Sequence, residues 1–300
     1  MSDTPLIFDR ALLKARRAKA LSRPNCRDVD FLLRDVAEDV SYRLSLIKRD
    51  FPLVLDYGCH TGLVSQEISK LDTIGEVISA DHALSSPSLL QLLPGLFIKA
   101  DEEFFPFAGE QFDLIISALS LQWVNDLPGA LVQMRRGLKP DGALIAVTLG
   151  GETLTELRQA LMMAEDEIYG GVSPRVAPFA DVRDFGDLLQ RAGFALPVTD
   201  REIRRVRYSS VDKLMKELRA MGAGNMLEGR RRQPVSRRFF KRVEELYQQH
   251  FGDEDGRITA SFEFIYLIGW APHPDQQKPL APGSGKVSLT QIFGDSPEGK

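Results

Sequence analysis

The chain has 300 residues and only two cysteines, Cys26 and Cys59. They lie far apart and without metal-ligand spacing. That excludes a disulfide framework and a cysteine zinc site, and it points to a reducing, cytoplasmic setting. No apolar stretch approaches the ~20 residues of a membrane-crossing helix, so no membrane insertion is expected. The N-terminal stretch lacks the apolar core of a secretory signal. It is basic instead, with Arg10, Lys14, Arg16, Arg17, Lys19 and Arg23. Asp3 and Asp9 argue against a mitochondrial transit peptide. The net charge of -4 gives no general pull toward nucleic acid. No internal repeat is visible, and no Cys–His or Ser–His–Asp arrangement offers covalent catalysis. The hydrophobic fraction is 43%, enough to fill the core of one large domain or two small ones.

What the chain does have is the run Val54-Leu55-Asp56-Tyr57-Gly58-Cys59-His60-Thr61-Gly62. An apolar strand enters a turn with an acid and two glycines, and a helix is expected from Leu63 to Leu71. Glycine permits positive φ and close approach of a ligand. The free N–H groups at the helix start then face that ligand. Asp56 would repel a phosphate and suits a ligand bearing an amino group. A second apolar strand, Val77 to Ala80, ends at Asp81, where α/β folds hold ribose hydroxyls. Its distance from the turn is close to the expected ~20 residues. A third segment, Leu96 to Ala100, ends at Asp101 and Glu102. Phe112 to Ser117 reads as a buried parallel strand. The helix Leu127 to Arg136, a turn Leu138 to Gly142 and a fifth strand, Ala143 to Leu149, follow.

The turn resembles the D-x-G-x-G-x-G motif of class I S-adenosylmethionine-dependent methyltransferases, with His60 in place of the middle glycine. The resemblance implies a Rossmann-like, doubly wound α/β sheet of seven strands, with S-adenosylmethionine as cofactor. It implies that the acid after the third strand bonds the adenine amino group. The candidate cofactor contacts are Asp56, Gly58, His60, Gly62, Asp81, Asp101, Glu102 and Ser117. No catalytic residue is assigned. His60, His82 and Asp81 could hold iron, but Asp81 suits ribose better, so no metal is expected.

Punctuation divides the chain. Residues 1–50 read as an N-terminal helical segment, with Val29, Leu32, Leu33, Val36, Val40 and Leu44 on one face. Residues 51–210 read as the cofactor-binding domain. Residues 211–251 read as a helical cap over the substrate side, 252–272 as the last strand and 273–300 as a loosely held tail. Helices are expected over Glu152 to Tyr169, stopped by Gly170-Gly171, and over Asp184 to Ala192. A strand is expected over Ile203 to Tyr208, and the last one over Ser261 to Trp270. The cap carries Arg230, Arg231, Arg232, Arg237, Arg238, Lys241 and Arg242. Two readings stand: a solvated helix face, or a dock for an acidic partner. No aromatic interleaving favours nucleic acid.

After the fourth strand, Ser117 to Asp126 lacks the Pro-Pro-aromatic turn usual for base-amine methylation. The stretches Phe8-Asp9-Arg10, Ser120 to Pro128, Gly150 to Leu154, Gly170 to Arg175, Pro178-Phe179, Leu188 to Phe194 and Ile268-Gly269-Trp270 are similar to one subfamily. It is the family of the complex I assembly factor with a methyltransferase fold, with its alphaproteobacterial relatives. The resemblance implies an enzyme whose partner is a complex I subunit, with arginine hydroxylation as the eukaryotic activity. It implies a location in the bacterial cytoplasm, with a peripheral place at the inner membrane left open. A sister group, the malonyl-carrier-protein O-methyltransferases of biotin synthesis, shares the Leu-Gln-Trp stretch. Methylation of that carrier, and a non-catalytic assembly chaperone, stay open as alternatives.

Overall fold

The computed structural model describes residues 6–277. The sheet is seven-stranded, in the order β3-β2-β1-β4-β5-β7-β6. Its strands are β1 (Phe51–Tyr57), β2 (Ile74–Ala80), β3 (Phe97–Ile98), β4 (Phe112–Ala118), β5 (Leu138–Leu149), β6 (Ala195–Tyr208) and β7 (Ile258–Trp270). The first five pair in parallel. β7 runs antiparallel to both neighbours. This is the Rossmann-like arrangement expected of the class I methyltransferase fold.

Nine α-helices among the described residues cover the sheet: α1 (Arg10–Leu21), α2 (Phe31–Ser45), α3 (Leu63–Ile68), α4 (Pro87–Leu90), α5 (Leu127–Gly137), α6 (Thr155–Tyr169), α7 (Val182–Arg191), α8 (Val211–Ala220) and α9 (Arg237–Phe251). Alternation along the central strands splits the core in two. Leu114, Ile116 and Ala118 of β4 join Val36, Leu157, Leu214 and Phe239 on one face. Ile115 joins Leu131, Met134, Phe185 and Leu189 on the other. Every residue of β4 is buried, as a parallel strand covered on both faces requires.

Some boundaries differ from the sequence reading. β5 starts at Leu138, where a turn is expected, because Leu138 pairs with Phe112 and the register then shifts. Pro140 and Asp141, the latter at φ +64°, occupy that shift. β6 begins eight residues earlier than expected. It lies at the sheet edge, where exposed positions leave little apolar periodicity to read.

The segment between β6 and β7 is helical only at its ends. Its middle crosses back to the N-terminus: Asp9 N–H donates to Met226 O at 2.8 Å and Glu228 N–H donates to Ile7 O at 2.8 Å. Phe8 then packs edge-on against Trp123, with ring centroids 5.6 Å apart. The expected tail lies, from residue 278 onward, outside the described residues. Among those described, no helix is long and apolar enough to cross a membrane.

Candidate cofactor and acceptor site

The glycine turn forms as its sequence suggests. Gly58 and Gly62 sit at φ +82° and +76°. A Cβ on Gly58 would collide with the Ser120 side chain, so the turn passes close beneath the loop after β4. His60 holds φ +53°, in the left-handed region that favours glycine. Its N–H donates to Asp81 Oδ2 at 3.1 Å.

The acids at the strand ends are held in different ways. Asp56 is fully buried and accepts from Ser65 N–H at 3.1 Å and Ser65 Oγ at 2.5 Å, which ties β1 to α3. Burial without a cation pushes its carboxyl up to about 6, against the pull of the Ser65 bonds. Asp81 also accepts from Ala83 N–H at 2.6 Å and Leu84 N–H at 2.9 Å, so it shapes its own loop. Asp101 is bonded to Arg10. Its neighbour Glu102 is 1% exposed and lies at the centre of a cluster. Arg10 Nη2 donates to it at 2.8 Å, Ser120 Oγ donates to it, His82 Nδ1 lies at 3.0 Å and Arg17 Nη1 at 3.6 Å. Burial alone would raise Glu102. The contacts with His82, Arg17 and Arg10 outweigh it and hold the carboxyl well below the usual range.

The ligand atoms of His82, Asp101 and Glu102 lie within 4.8 Å of one another, close enough to hold a metal. This is a different trio from His60, His82 and Asp81. The two guanidiniums already balance its two carboxylates, so a dication would meet repulsion.

A cavity of about 560 Å³ opens beside the turn. His60 forms part of its wall, with Leu119, Gln122 and Trp123 from the loop after β4, and Leu157 of α6 and Met215 of α8 opposite. Asp56, Asp81 and Asp101 do not line it. All three are expected at the cofactor, and each also accepts from internal donors, Asp56 through Oδ2 alone. Six cations do line it: Arg16, Arg17, Lys19, Arg23, Arg175 and Arg219. Among the described residues, Asp30 is the one carboxylate on its walls. The sequence reading gives Arg17 and Asp30 no part in the site. The spacing of Arg10 and Arg17, seven apart and so on one helix face, was the available signal.

Of the two readings of the arginine cluster on the cap, the dock loses several of its charges to partners inside the chain. Arg230 pairs with Asp9, Arg232 with Glu228, and Arg242 with Glu167 and Glu245. Arg231 stacks over Tyr169. The first of these ties the cap to the N-terminus.

The residues fit S-adenosylmethionine. Asp56 Oδ1 and Ser117 Oγ are buried without a hydrogen-bond partner, on adjacent strands beside the glycine turn. Orphaned acceptors there suit an ammonium donor.

Comparison with known proteins agrees. A family model described as "Methyltransferase domain" matches residues 28–197. The mitochondrial arginine-hydroxylase NDUFAF5 of Mus musculus is 40% identical over 95% of this chain and 83% of its own length. The human protein of that name is 39% identical over the same shares. A malonyl-[acyl-carrier protein] O-methyltransferase of Methylovorus is 37% identical over 83% of this chain and 87% of its own. Among solved structures, the YcgJ protein of Bacillus subtilis covers 82% of this chain and 99% of its own at 15% identity, with a TM-score of 0.51. That likeness speaks to the fold alone. The chain belongs to the methyltransferase-domain family, together with the NDUFAF5 arginine hydroxylases and malonyl-carrier O-methyltransferases it matches along most of their length, and S-adenosylmethionine is its cofactor.

Proposed function

We propose that this enzyme modifies a protein side chain on a subunit of respiratory complex I during its assembly. The observation that carries the reading is the 40% identity to the arginine-hydroxylase NDUFAF5 across 95% of the chain. It extends beyond the part of the chain that the methyltransferase-domain model covers, into the segments that wall the cavity. Asp56, Gly58, His60, Gly62, Asp81, Asp101, Glu102 and Ser117 are the residues we propose around the cofactor. When bound, S-adenosylmethionine supplies an electrophilic sulfonium group. The chain's own part is alignment and exclusion of water, which the apolar walls beside His60 favour. The reading carries a bacterial cytoplasmic location, with a peripheral place at the inner membrane left open.

One observation favours a second reading. Six cations line the cavity; Arg17 and Arg175 are paired with Glu102 and Glu165, and the other four would attract an anionic acceptor, such as the malonyl carboxylate of a carrier protein. Mass spectrometry of complex I subunits from a deletion strain, against wild type, tests the first reading. One subunit should be lighter by a methyl group or an oxygen. Unchanged masses with normal complex I activity overturn it. Rescue of a biotin-requiring mutant that lacks the carrier methyltransferase would establish the second.

A further inference from the structure

We infer that Asp30 recognises the acceptor by receiving a positively charged side chain, carried on an otherwise acidic protein segment. The inference rests on the proposed function, since it takes the acceptor to be a protein side chain. Asp30 opens α2 at the N-cap position, where an aspartate ordinarily accepts from the first backbone N–H groups. Here its side chain makes no such bond. It turns instead toward the glycine turn, where Thr61 Oγ1 donates to Oδ2 at 2.6 Å and His60 Nδ1 lies 3.8 Å away. Its other oxygen, Oδ1, takes no hydrogen bond from the described residues.

The setting makes this carboxylate consequential. Asp30 is 4% exposed, yet it lies on the cavity wall. Burial pushes its carboxyl up, but His60, Thr61 and Arg27 outweigh burial and hold it below the ordinary value, so it is charged at neutral pH. Oδ1 is not sealed off from solvent, so it is open to a donor carried by a ligand in the cavity. His60 Nδ1 beside it also lacks a hydrogen-bond partner. These groups sit where the cavity meets the glycine turn. The cations stand along the rest of the cavity. A carboxylate acceptor would be drawn in by the arginines and repelled at Asp30. A guanidinium or ammonium would be held at Asp30, provided acidic neighbours offset the surrounding cations. The arrangement therefore selects for charge of both signs in one ligand.

Binding tests this without requiring turnover. The probes are a short labelled peptide with one arginine flanked by glutamates, and the same peptide with citrulline, which keeps the shape and removes the charge. Anisotropy is read with the full chain saturated by S-adenosylhomocysteine. Wild type should prefer the arginine peptide by about tenfold, the scale of one charge-assisted hydrogen bond. Asp30→Asn keeps an acceptor for Thr61 and should erase the preference. Its affinity for S-adenosylhomocysteine, measured by calorimetry, should stay within about threefold and also reports that the variant is folded. Three results overturn the inference: a wild type that binds both peptides alike or neither, a variant that keeps the preference, or a variant whose cofactor affinity collapses. The last would assign Asp30 to the cofactor. The proposed function fails separately, through unchanged subunit masses in the deletion strain.

Discussion

Helix α1 divides its basic residues between two regions of opposite electrostatic character. Arg10 reaches into the buried cluster at Asp101 and Glu102, where carboxylates and guanidiniums offset one another. Arg16 and Lys19 face the cavity, where cations outnumber the single carboxylate. Arg17 belongs to both, lying 3.6 Å from Glu102 while lining the cavity. A balanced buried network is rigid and fixes loop positions; an unbalanced, roomy one attracts a ligand. The first region suits holding the cofactor edge in shape, and the second suits choosing an acceptor.

Breaking the balanced region should have the largest effect. Glu102→Gln leaves Arg17 buried without a carboxylate and Arg10 with Asp101 and Glu103 alone. Removing one partner of such a network costs roughly 3–5 kcal/mol. A melting temperature lower by roughly 10 °C is expected. A loss under a third of that would mean that water or rearrangement already relieves the cluster. Arg17→Met tests the shared member. Glu102 keeps Arg10, so the expected loss is smaller, roughly 2 kcal/mol. Peptides with acidic flanks should also bind more weakly. A variant that melts like wild type would detach Arg17 from the cluster.

Asp56 sharpens the comparison, being a buried carboxylate with no cation. Its folded value of about 6 exceeds the ordinary 3.8, so the fold favours its protonated form. The resulting stability is fully present below about pH 4 and is lost as pH rises through about 6, a swing on the order of 3 kcal/mol. Glu102 behaves oppositely. Its contribution is present above its ordinary value of 4.5 and is lost only in stronger acid. Asp56→Asn should therefore gain stability relative to wild type on going from pH 4.5 to 7.5, by urea unfolding of the cofactor-free protein. Parallel pH profiles for the two proteins would show that Asp56 is solvated or paired in solution.

This contrast also explains what the sequence could disclose. The sheet was legible because β4 is a continuous apolar run and glycines mark the turns around it. β6 was legible only in its last six of fourteen residues, since an exposed edge strand carries little pattern. The glycine turn and the acids at the strand ends could be located, because they are local motifs. Their partners could not: Arg10 and Glu102 meet across 92 residues, a pairing only the fold creates. The same limit applies to Arg230, which reads as a free surface charge until Asp9 is found beside it. Asp30 looks like any helix-capping aspartate in sequence. Its missing cap bond can be seen only in three dimensions.

His60 should give the smallest effect, and it marks the border between the two regions. In sequence it replaces the middle glycine of the cofactor motif, which suggests that it crowds the cofactor. In the fold its side chain belongs to the cavity wall and only its N–H serves the turn, through Asp81. Its φ of +53° costs an L-residue roughly 1 kcal/mol, which glycine would relieve. Glycine's greater freedom in the unfolded chain takes back a similar amount. His60→Gly should therefore change stability by less than about 1 kcal/mol and keep S-adenosylhomocysteine affinity within about threefold. Binding of the arginine peptide should weaken, because the ring that flanks Asp30 is gone. A tenfold gain in cofactor affinity, read by calorimetry, would instead put the imidazole in the cofactor's path and erase the border.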